Sequence, residues 1–430
     1  MTRAEPPTIF ALASGAGRAG VAVIRLSGPG CDAALATLTP SLPPLRRASL
    51  RALREPDSGV LLDHALVLRF AAGASYTGEP SAELHVHGGA ATIRAVLGAL
   101  GRIEGLREAR PGEFARRAFA NRRIDLAQVE ALADLVAAET EAQRRAALRQ
   151  SEGTLGRACD GWMDRLTRAL ALIEASIDFS DEELPDDLLD GPTQEAATIG
   201  AEIEATLGQA RPVERLRRGF RVAVLGAPNA GKSSLVNLLA DRDVALVSSE
   251  PGTTRDAIEV ALDLGGYPVT IIDTAGLREA SDAIETAGIE RARHVADQAD
   301  LRLWLHAPDA PLPETPDGGD MVVASKADLH PAPGALAIST RTGEGIDALV
   351  GAIGQRLPLL DPSEGLPLRD RHEGELRAAS TALSTIDPAM PVELLAEALR
   401  AARDALGRIT GRGGTEALLD VIFGELCLGK

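Results

Sequence analysis

Gly226-Ala227-Pro228-Asn229-Ala230-Gly231-Lys232-Ser233 has the spacing of a phosphate-binding loop, G-x-x-x-x-G-K-[ST]. Its glycines let the backbone curl so that N–H groups converge on phosphate, and the helix that follows adds its positive end. Lys232 supplies a point charge to the β- and γ-phosphates, and Ser233 a hydroxyl to Mg2+. Glycine-rich turns without a ligand share this pattern, so context decides. Arg221–Leu225 just before it reads as a buried strand, and Ser234–Leu239 just after it opens a helix.

Further motifs follow in order. Pro251-Gly252-Thr253-Thr254-Arg255-Asp256 is polar and holds a threonine able to reach Mg2+ and sense the γ-phosphate. Val260–Asp263 and Val269–Ile272 flank Gly265-Gly266, a hairpin signal. The second strand runs into Asp273-Thr274-Ala275-Gly276, where an acid can hold Mg2+ through water and a glycine lets backbone approach the γ-phosphate. A later strand, Met321–Ala324, runs into Ser325-Lys326-Ala327-Asp328. Asp328 can accept from the guanine N1–H and exocyclic amine, a donor pair that adenine lacks, which argues for GTP over ATP. Ser339-Thr340-Arg341 follows another strand and can close over the base. Five motifs in this order resemble the translation-factor-related GTPases. Ser325 stands where such proteins begin the base-reading motif with Asn, and Thr340 where they usually have Ala, so weakened guanine affinity or selectivity is expected. Only residues 307–320 separate strand Leu301–His306 from the next strand. That barely allows a parallel crossover, so the usual helix there is expected to be missing or vestigial.

Ras-type proteins orient the attacking water with a glutamine soon after the aspartate-glycine motif. Here Leu277 follows Gly276 and cannot polarise water. Glu285 is a carboxylate downstream with two readings, a catalytic acid or a solvated acid of a loop. The sequence identifies no arginine finger.

The elements around these motifs divide the 430 residues into regions. Residues 1–120 mix short strands, such as 21–26 and 65–70, with turns. Residues 121–215 are helical: Val129, Leu132, Ala133 and Val136 share one face, and Trp162, Leu166, Ala169, Leu170, Ile173 and Ile177 another. Residues 216–360 alternate strand and helix, giving an α/β domain with a mainly parallel sheet. Residues 361–430 return to helix, with Leu395, Ala398, Leu399, Ala402 and Leu406 as an apolar stripe expected to pack on the 121–215 helices. The expected fold is therefore an α+β N-terminal domain and a helical domain into which a GTPase domain is inserted. A composition of 45% hydrophobic and 25% charged residues is that of a soluble globular protein. No apolar run is long enough for a membrane span, Met1–Pro7 lacks a signal-peptide layout, and Cys31, Cys159 and Cys427 are widely spaced, which points to the cytoplasm. The net charge of -17 argues against a surface coated by nucleic acid. Two arginine clusters, Arg116, Arg117, Arg122, Arg123 and Arg211, Arg215, Arg217, Arg218, read as solvated surface.

The whole chain resembles the MnmE (TrmE) family of tRNA-modification GTPases. The resemblance rests on Gly20–Ser27, Tyr76-Thr77-Gly78-Glu79, Glu83–Gly89, Arg110–Phe114, Asp125-Leu126-Ala127-Gln128, Ile177-Asp178-Phe179, Gly226–Ser234, Asp273–Ser281 and the terminal Phe423–Lys430 with its Cys-x-Gly-Lys. It implies that the chain, with the flavin-dependent partner MnmG, modifies C5 of the wobble uridine of tRNA by an aminomethyl or carboxymethylaminomethyl group. It also implies a homodimer, a heterotetramer with MnmG, and a one-carbon donor that is a tetrahydrofolate derivative, 5-formyl or 5,10-methylene. GTP contacts then include Ser234, Ser248, Ser249 and Glu250. K+ is held by Asn229, Ser248, Glu250 and Thr253, Mg2+ by Ser233 and Thr254, and Glu285 is the catalytic acid. The folate contacts are Arg25, Glu83, Arg123 and Lys430.

These folate assignments agree with the chemistry of the residues. A carboxylate can grip the aminopyrimidine edge of a pterin with two hydrogen bonds, and arginines suit the anionic glutamate tail. Arg123 stands where the family more often has lysine. By themselves Glu83 is an exposed strand acid and Arg25 a strand-end cation. His85 and His87 share a strand face but have no third ligand nearby, which favours a structural role. Cys427 reads either as a redox or nucleophilic group or as a small packing residue. A competing class is a non-catalytic GTP switch in ribosome assembly; the same nucleotide motifs fit it, and the folate-compatible residues distinguish the two.

Overall fold

The computed structural model describes residues 6–15, 17–178, 189–212, 214–242, 258–273, 294–309, 312–313, 315–330, 332, 334–357, 366–387, 390–413, 416–424, 426 and 429. The chain forms two compact units. One comprises Met1–Ala133, Gln150–Ile203 and Glu375–Lys430, the other Asp134–Arg149 and Glu204–Gly374.

The first unit contains strands β1 (Thr8–Leu12), β2 (Ala19–Ser27), β3 (Ser49–Arg54), β4 (Leu61–Phe70), β5 (Ser81–Gly88) and β6 (Leu106–Glu108), in sheet order β3-β4-β5-β2-β1-β6. All neighbours are antiparallel except β1 and β6. Alternation sorts the two faces. Ala22, Ile24 and Leu26 of β2 and Ala82, Leu84 and Val86 of β5 enter a core with helices α1 (Cys31–Leu38) and α2 (Ala90–Gly101). Arg25, Glu83 and His85 fall on the other face, with Arg25 directly opposite Glu83. A one-residue slip would drive Arg25 into the core, so the apolar pattern fixes this pairing.

Helices α3 (Glu113–Ala120), α4 (Leu126–Ala137), α5 (Glu141–Ser151), α6 (Thr154–Asp178) and α7 (Asp190–Gly208) follow. The start of α4 is a capping box. The Gln128 amide donates to Asp125 Oδ1 at 2.8 Å and the Asp125 amide to Gln128 Oε1 at 3.0 Å. On α4 Val129 is buried but Val136, at the other end of the expected stripe, is exposed. The expected stripe on α6 is buried from Trp162 to Ile173 and half-buried at Ile177, and Leu395, Ala398, Leu399, Ala402 and Leu406 of the helix Val392–Thr410 are buried. These two helices pack on each other, as neither stripe can be buried alone.

In the second unit β7 (Ala210–Pro212) and α8 (Glu214–Arg218) precede β8 (Phe220–Gly226), β9 (Ile258–Leu264), β10 (Tyr267–Asp273), β11 (Leu301–His306) and β12 (Met321–Ala324). The sheet order is β12-β11-β8-β10-β9, parallel throughout except for the β9–β10 hairpin. Gly265 and Gly266 turn that hairpin at φ 66 and 91, the left-handed pair such a tight turn requires. Helix α9 (Lys232–Ala240) and the helix Ile346–Arg356 bury Leu235, Val236, Leu239, Ile346, Leu349 and Ile353 against the sheet. Ala142 and Ala146 of α5 join this core, and the Ala142 amide donates to Gly266 O at 3.2 Å. β13 (Leu366–Leu368) pairs in parallel with β7 where the chain leaves the unit.

No helix occurs among the described residues between β11 and β12, as the short spacing implies. A carboxylate organises the connection instead. Asp320 accepts from Trp304 Nε1 at 2.8 Å, Arg302 Nε at 2.8 Å and the Asp317 amide at 3.0 Å. Burial pushes the Asp320 carboxyl up, but these donors outweigh it and hold it below the usual range.

Candidate functional site

The phosphate loop sits between β8 and α9, where the sequence puts it. Gly226 has φ 143, and a Cβ there would lie 2.5 Å from Leu305 O of the neighbouring strand. Asn229 (φ 62) and Gly231 (φ 97) both adopt left-handed conformations, turning successive N–H groups inward to form an anion cradle. Ala230 is buried beneath it and Ser234 exposed on the first turn of α9. Lys232 is only 5% exposed, and its ammonium donates to Gly226 O at 3.0 Å and Ala227 O at 2.8 Å. A buried ammonium at the floor of this loop is well placed to meet a polyanion. Ser233 Oγ donates to Asp273 Oδ2 at 2.5 Å, and Asp273 is fully buried at the end of β10. A hydroxyl and a carboxylate oxygen thus meet at the phosphate loop, a hard oxygen pair that suits Mg2+.

The base-reading residues converge from two loops. Ser339 Oγ donates to Asp328 Oδ1 at 2.7 Å and lies 3.3 Å and 3.2 Å from the Arg341 and Thr342 amides. One buried hydroxyl therefore fixes Asp328 against the loop carrying Thr340 and Arg341. Lys326 adopts φ 60 and its ammonium lies 2.8 Å from Asp309. The Ala327 amide donates to Ile338 O at 3.0 Å. Ser325 is buried, and among the described residues its hydroxyl reaches only His306 O, at 3.4 Å. Ser248, Ser249, Glu250, Pro251, Gly252, Thr253, Thr254, Thr274, Ala275, Gly276 and Glu285 lie outside the described residues.

The first unit carries a second constellation. Arg25 donates through Nε (3.2 Å) and Nη2 (3.0 Å) to Glu83 Oε1, while Glu83 Oε2 faces His85 Nε2 at 3.2 Å. The Arg25 guanidinium stands 5.7 Å from the Tyr76 ring centroid and 6.0 Å from that of Phe114. Its Nη1 donates to Gly429 O at 3.3 Å. Gly429 adopts φ 91, and a Cβ there would lie 2.4 Å from Leu12 O, so only glycine lets the C-terminal segment lie this close to the end of β1. Cys427 and Lys430 lie outside the described residues. The half-buried carboxylate, its guanidinium and the aromatic wall suit a planar heterocycle with an anionic tail. His87 does not join them: its Nδ1 meets Asp63 Oδ1 at 2.7 Å. Among the described residues no cluster of His, Cys, Asp or Glu could hold a metal ion.

The model of the TrmE N-terminus matches residues 8–123, and that of the MnmE helical domain residues 126–427. A tRNA modification GTPase MnmE of Parvibaculum lavamentivorans is 50% identical over 98% of this chain and 100% of its own length. That of Cereibacter sphaeroides is 49% identical over 98% and 100%. The human mitochondrial 5-taurinomethyluridine-[tRNA] synthase subunit GTPB3 is 48% identical over 98% of this chain and 93% of its own length. The chain belongs to the MnmE (TrmE) family.

In this MnmE-family chain the first arginine cluster is not a uniform solvated face. The Arg117 side chain is 11% exposed. It donates to Glu79 Oε2 at 3.0 Å, Glu113 Oε1 at 3.2 Å and Pro7 O at 2.8 Å. Glu79 also accepts from Ser27 Oγ at 2.7 Å, so Arg117 pins the loop carrying Tyr76 onto β2. Burial pushes the Glu113 carboxyl up, but Arg107, the Arg110 amide and Arg117 outweigh it and hold it at about 2. The i, i+4 spacing of Glu113 and Arg117 was the available signal for this network. Arg116 pairs with Glu416 and Asp420, and Arg122 and Arg123 are exposed. Arg217 and Arg218 of the second cluster are exposed, as expected.

Proposed function

We propose that this chain is a K+-stimulated GTPase that, with a flavin-dependent MnmG-type partner, modifies C5 of the wobble uridine of tRNA. GTP hydrolysis and a role in tRNA modification follow from family membership across 98% of the chain. The observation that carries the mechanism is the left-handed cradle at Asn229 and Gly231, joined through Ser233 to the buried Asp273. In this reading Lys232 leaves its loop carbonyls for the β- and γ-phosphates, and Asp328, steadied by Ser339, reads guanine. Ser233 and Thr254 hold Mg2+, with Asp273 behind them. Asn229, with Ser248, Glu250 and Thr253, holds K+, which supplies the positive charge of an arginine finger. Glu285 positions the attacking water. Glu83 grips the pterin edge of a 5-formyl or 5,10-methylene tetrahydrofolate, with Arg25, Arg123 and Lys430 toward its carboxylates.

The same proposal divides the chain into a folate-binding and dimerisation domain (1–120), a helical domain (121–215 and 361–430) and an inserted GTPase domain (216–360). A homodimer joins MnmG as a heterotetramer in the cytoplasm. Among the described residues no helix is long and apolar enough to cross a membrane. The test is the wobble-uridine profile of tRNA from cells lacking this protein. Loss of the modification, restored by wild type but not by Glu285→Ala, is expected. An unchanged profile overturns the modification role.

A further inference from the structure

A cavity of about 440 Å³ opens in the first unit between the α3–α4 turn, the start of α6 and the end of the helix Val392–Thr410. Its walls carry Arg122, Arg123, Arg157 and Arg412 against Asp125 and Asp160, a local excess of positive charge in a chain whose net charge is -17. Arg412 is paired with Asp160 at 2.7 Å. Asp125 Oδ1 caps α4. Arg157 donates only to neutral oxygens among the described residues, Glu152 O at 2.6 Å and Thr154 Oγ1 at 3.2 Å. The guanidinium groups of Arg122 and Arg123 make no hydrogen bond or ion pair among the described residues. Three arginines of the lining therefore have no carboxylate partner among the described residues. The space is kept open by missing side chains: a Cβ at Gly156 would lie 1.8 Å from Asp125 Oδ2, and one at Gly153 2.9 Å from Gln128 Nε2.

The α3–α4 turn that lines the cavity is tied to the loop beside the Arg25–Glu83 constellation. Tyr76 stacks beside Arg25 and opens the loop 76–79. A Cβ at Gly78 would lie 3.3 Å from Arg123 Cγ, so the Arg123 stem runs along that loop, and the same residue lines the cavity. Asn121 Nδ2 donates to Thr77 O at 2.7 Å and locks the loop to the α3–α4 turn.

We propose that this cavity receives the oligo-γ-glutamyl tail of a polyglutamylated tetrahydrofolate; the proposal rests on the folate reading of the site above. Such a tail carries carboxylates separated by neutral amides. Arginines bind carboxylates through paired donors, and the tail's N–H groups can serve an acceptor. Asp160 Oδ1 is such an acceptor: it is buried and accepts no hydrogen bond among the described residues. An RNA phosphate strand has the same charge but no backbone N–H to offer Asp160 Oδ1.

The test is calorimetry on the full-length protein with 5-formyltetrahydrofolate bearing one or five glutamates. Wild type should bind the pentaglutamate at least about tenfold more tightly, the worth of one good charge-assisted contact. The Arg122→Ala/Arg157→Ala variant should lose that advantage and keep its affinity for the monoglutamate. Arg157→Glu, altered at an exposed helical position, should do the same if Arg122→Ala disturbs the turn. Equal affinity of wild type for both forms overturns the tail site and leaves the folate reading standing. Binding of neither form overturns both. An advantage retained in both variants overturns the proposal. So does a glutamate-independent affinity accompanied by lost tRNA binding in the variants, which would make the cavity an RNA contact.

Discussion

In the nucleotide unit eight consecutive residues, 226–233, form the phosphate cradle, and their grip is mostly backbone. In the N-terminal unit the group around Arg25 draws on Tyr76, Glu83, Phe114 and Gly429, and its grip is mostly side chain. A backbone site needs only a turn geometry, which glycines and one left-handed asparagine supply locally. A side-chain site needs a sheet register, a pinned loop and a C-terminal segment brought together. Substitutions should therefore act locally on chemistry in the first case and through distant supports in the second.

The largest expected effect is on hydrolysis. Leu277 cannot orient water and no arginine finger is evident, a contribution worth about 10³–10⁵ in rate where it exists. Turnover should be slow in NaCl and strongly raised in KCl, and Asn229→Ala should lose the stimulation. Glu285→Ala should bind GTP normally yet hydrolyse it on the order of 10³-fold more slowly. Single-turnover assays of the three proteins in matched salts decide this. Equal wild-type rates in the two salts, or full activity in Glu285→Ala, would refute it.

Next is Glu83→Ala, which removes the carboxylate and leaves Arg25 without it. Folate binding should fall by at least about 100-fold, the scale of breaking a charged pair in a partly buried site. GTP affinity should not change, because that site lies in the other unit. Normal folate titration of the variant would remove Glu83 from the site.

Glu113 tests the distant supports. Against burial, which raises it, Arg107, the Arg110 amide and Arg117 hold its carboxyl at about 2, below the ordinary value of 4.5. A depressed carboxylate contributes stability that is present above about pH 4.5 and lost as pH falls through about 2, on the order of 3 kcal/mol. Glu113→Gln should lower the stability of the N-terminal sheet at pH 7, with the difference from wild type vanishing near pH 2. Amide exchange of β2 and α3 across that range reads it, and a difference independent of pH would show that the ionised form contributes nothing.

These supports explain what could be read in the chain beforehand. The phosphate loop, the hairpin at Gly265-Gly266, the missing crossover helix and the two helical stripes were legible because each is a local pattern of period or turn. The pairing of Arg25 with Glu83 needs the β2–β5 register, which no short window contains. Arg117 misled because a run of arginines looks solvated until Glu79, 38 residues away, is folded onto it. The Asp320 hub is likewise invisible, since its side-chain donors Arg302 and Trp304 lie on β11.

Asp328 probes the local site with a moderate effect. Loss of a charged hydrogen bond to guanine costs about 1.5–3 kcal/mol. Asp328→Asn should weaken GTP binding accordingly and relax discrimination toward xanthine nucleotides. Because Ser325 offers one long bond to His306 O where a longer amide is usual, wild-type selectivity over ATP should be real but reduced. Equal affinity of wild type for the two nucleotides would remove Asp328 as the reader.

The smallest effect belongs to a local pattern set inside the dispersed unit. Gln128 has two jobs: its Oε1 accepts from the Asp125 amide at 3.0 Å, and its Nε2 donates to Ser151 O at 2.9 Å. Gln128→Ala loses both and should cost about 1 kcal/mol for the cap alone, more with the Ser151 contact. Gln128→Glu keeps an acceptor for the cap but has no donor for Ser151 O, so the two variants separate the terms. Exchange of the Asp125 amide reports the cap directly. It should quicken about fivefold or more in Gln128→Ala and stay near wild type in Gln128→Glu. The cap also holds Asp125 over Gly156 at the cavity wall, so Gln128→Ala should loosen the α3–α4 turn that carries Arg122 and Arg123. Equal protection of Asp125 in all three proteins would mean that packing of α4, and not its reciprocal cap, sets the turn.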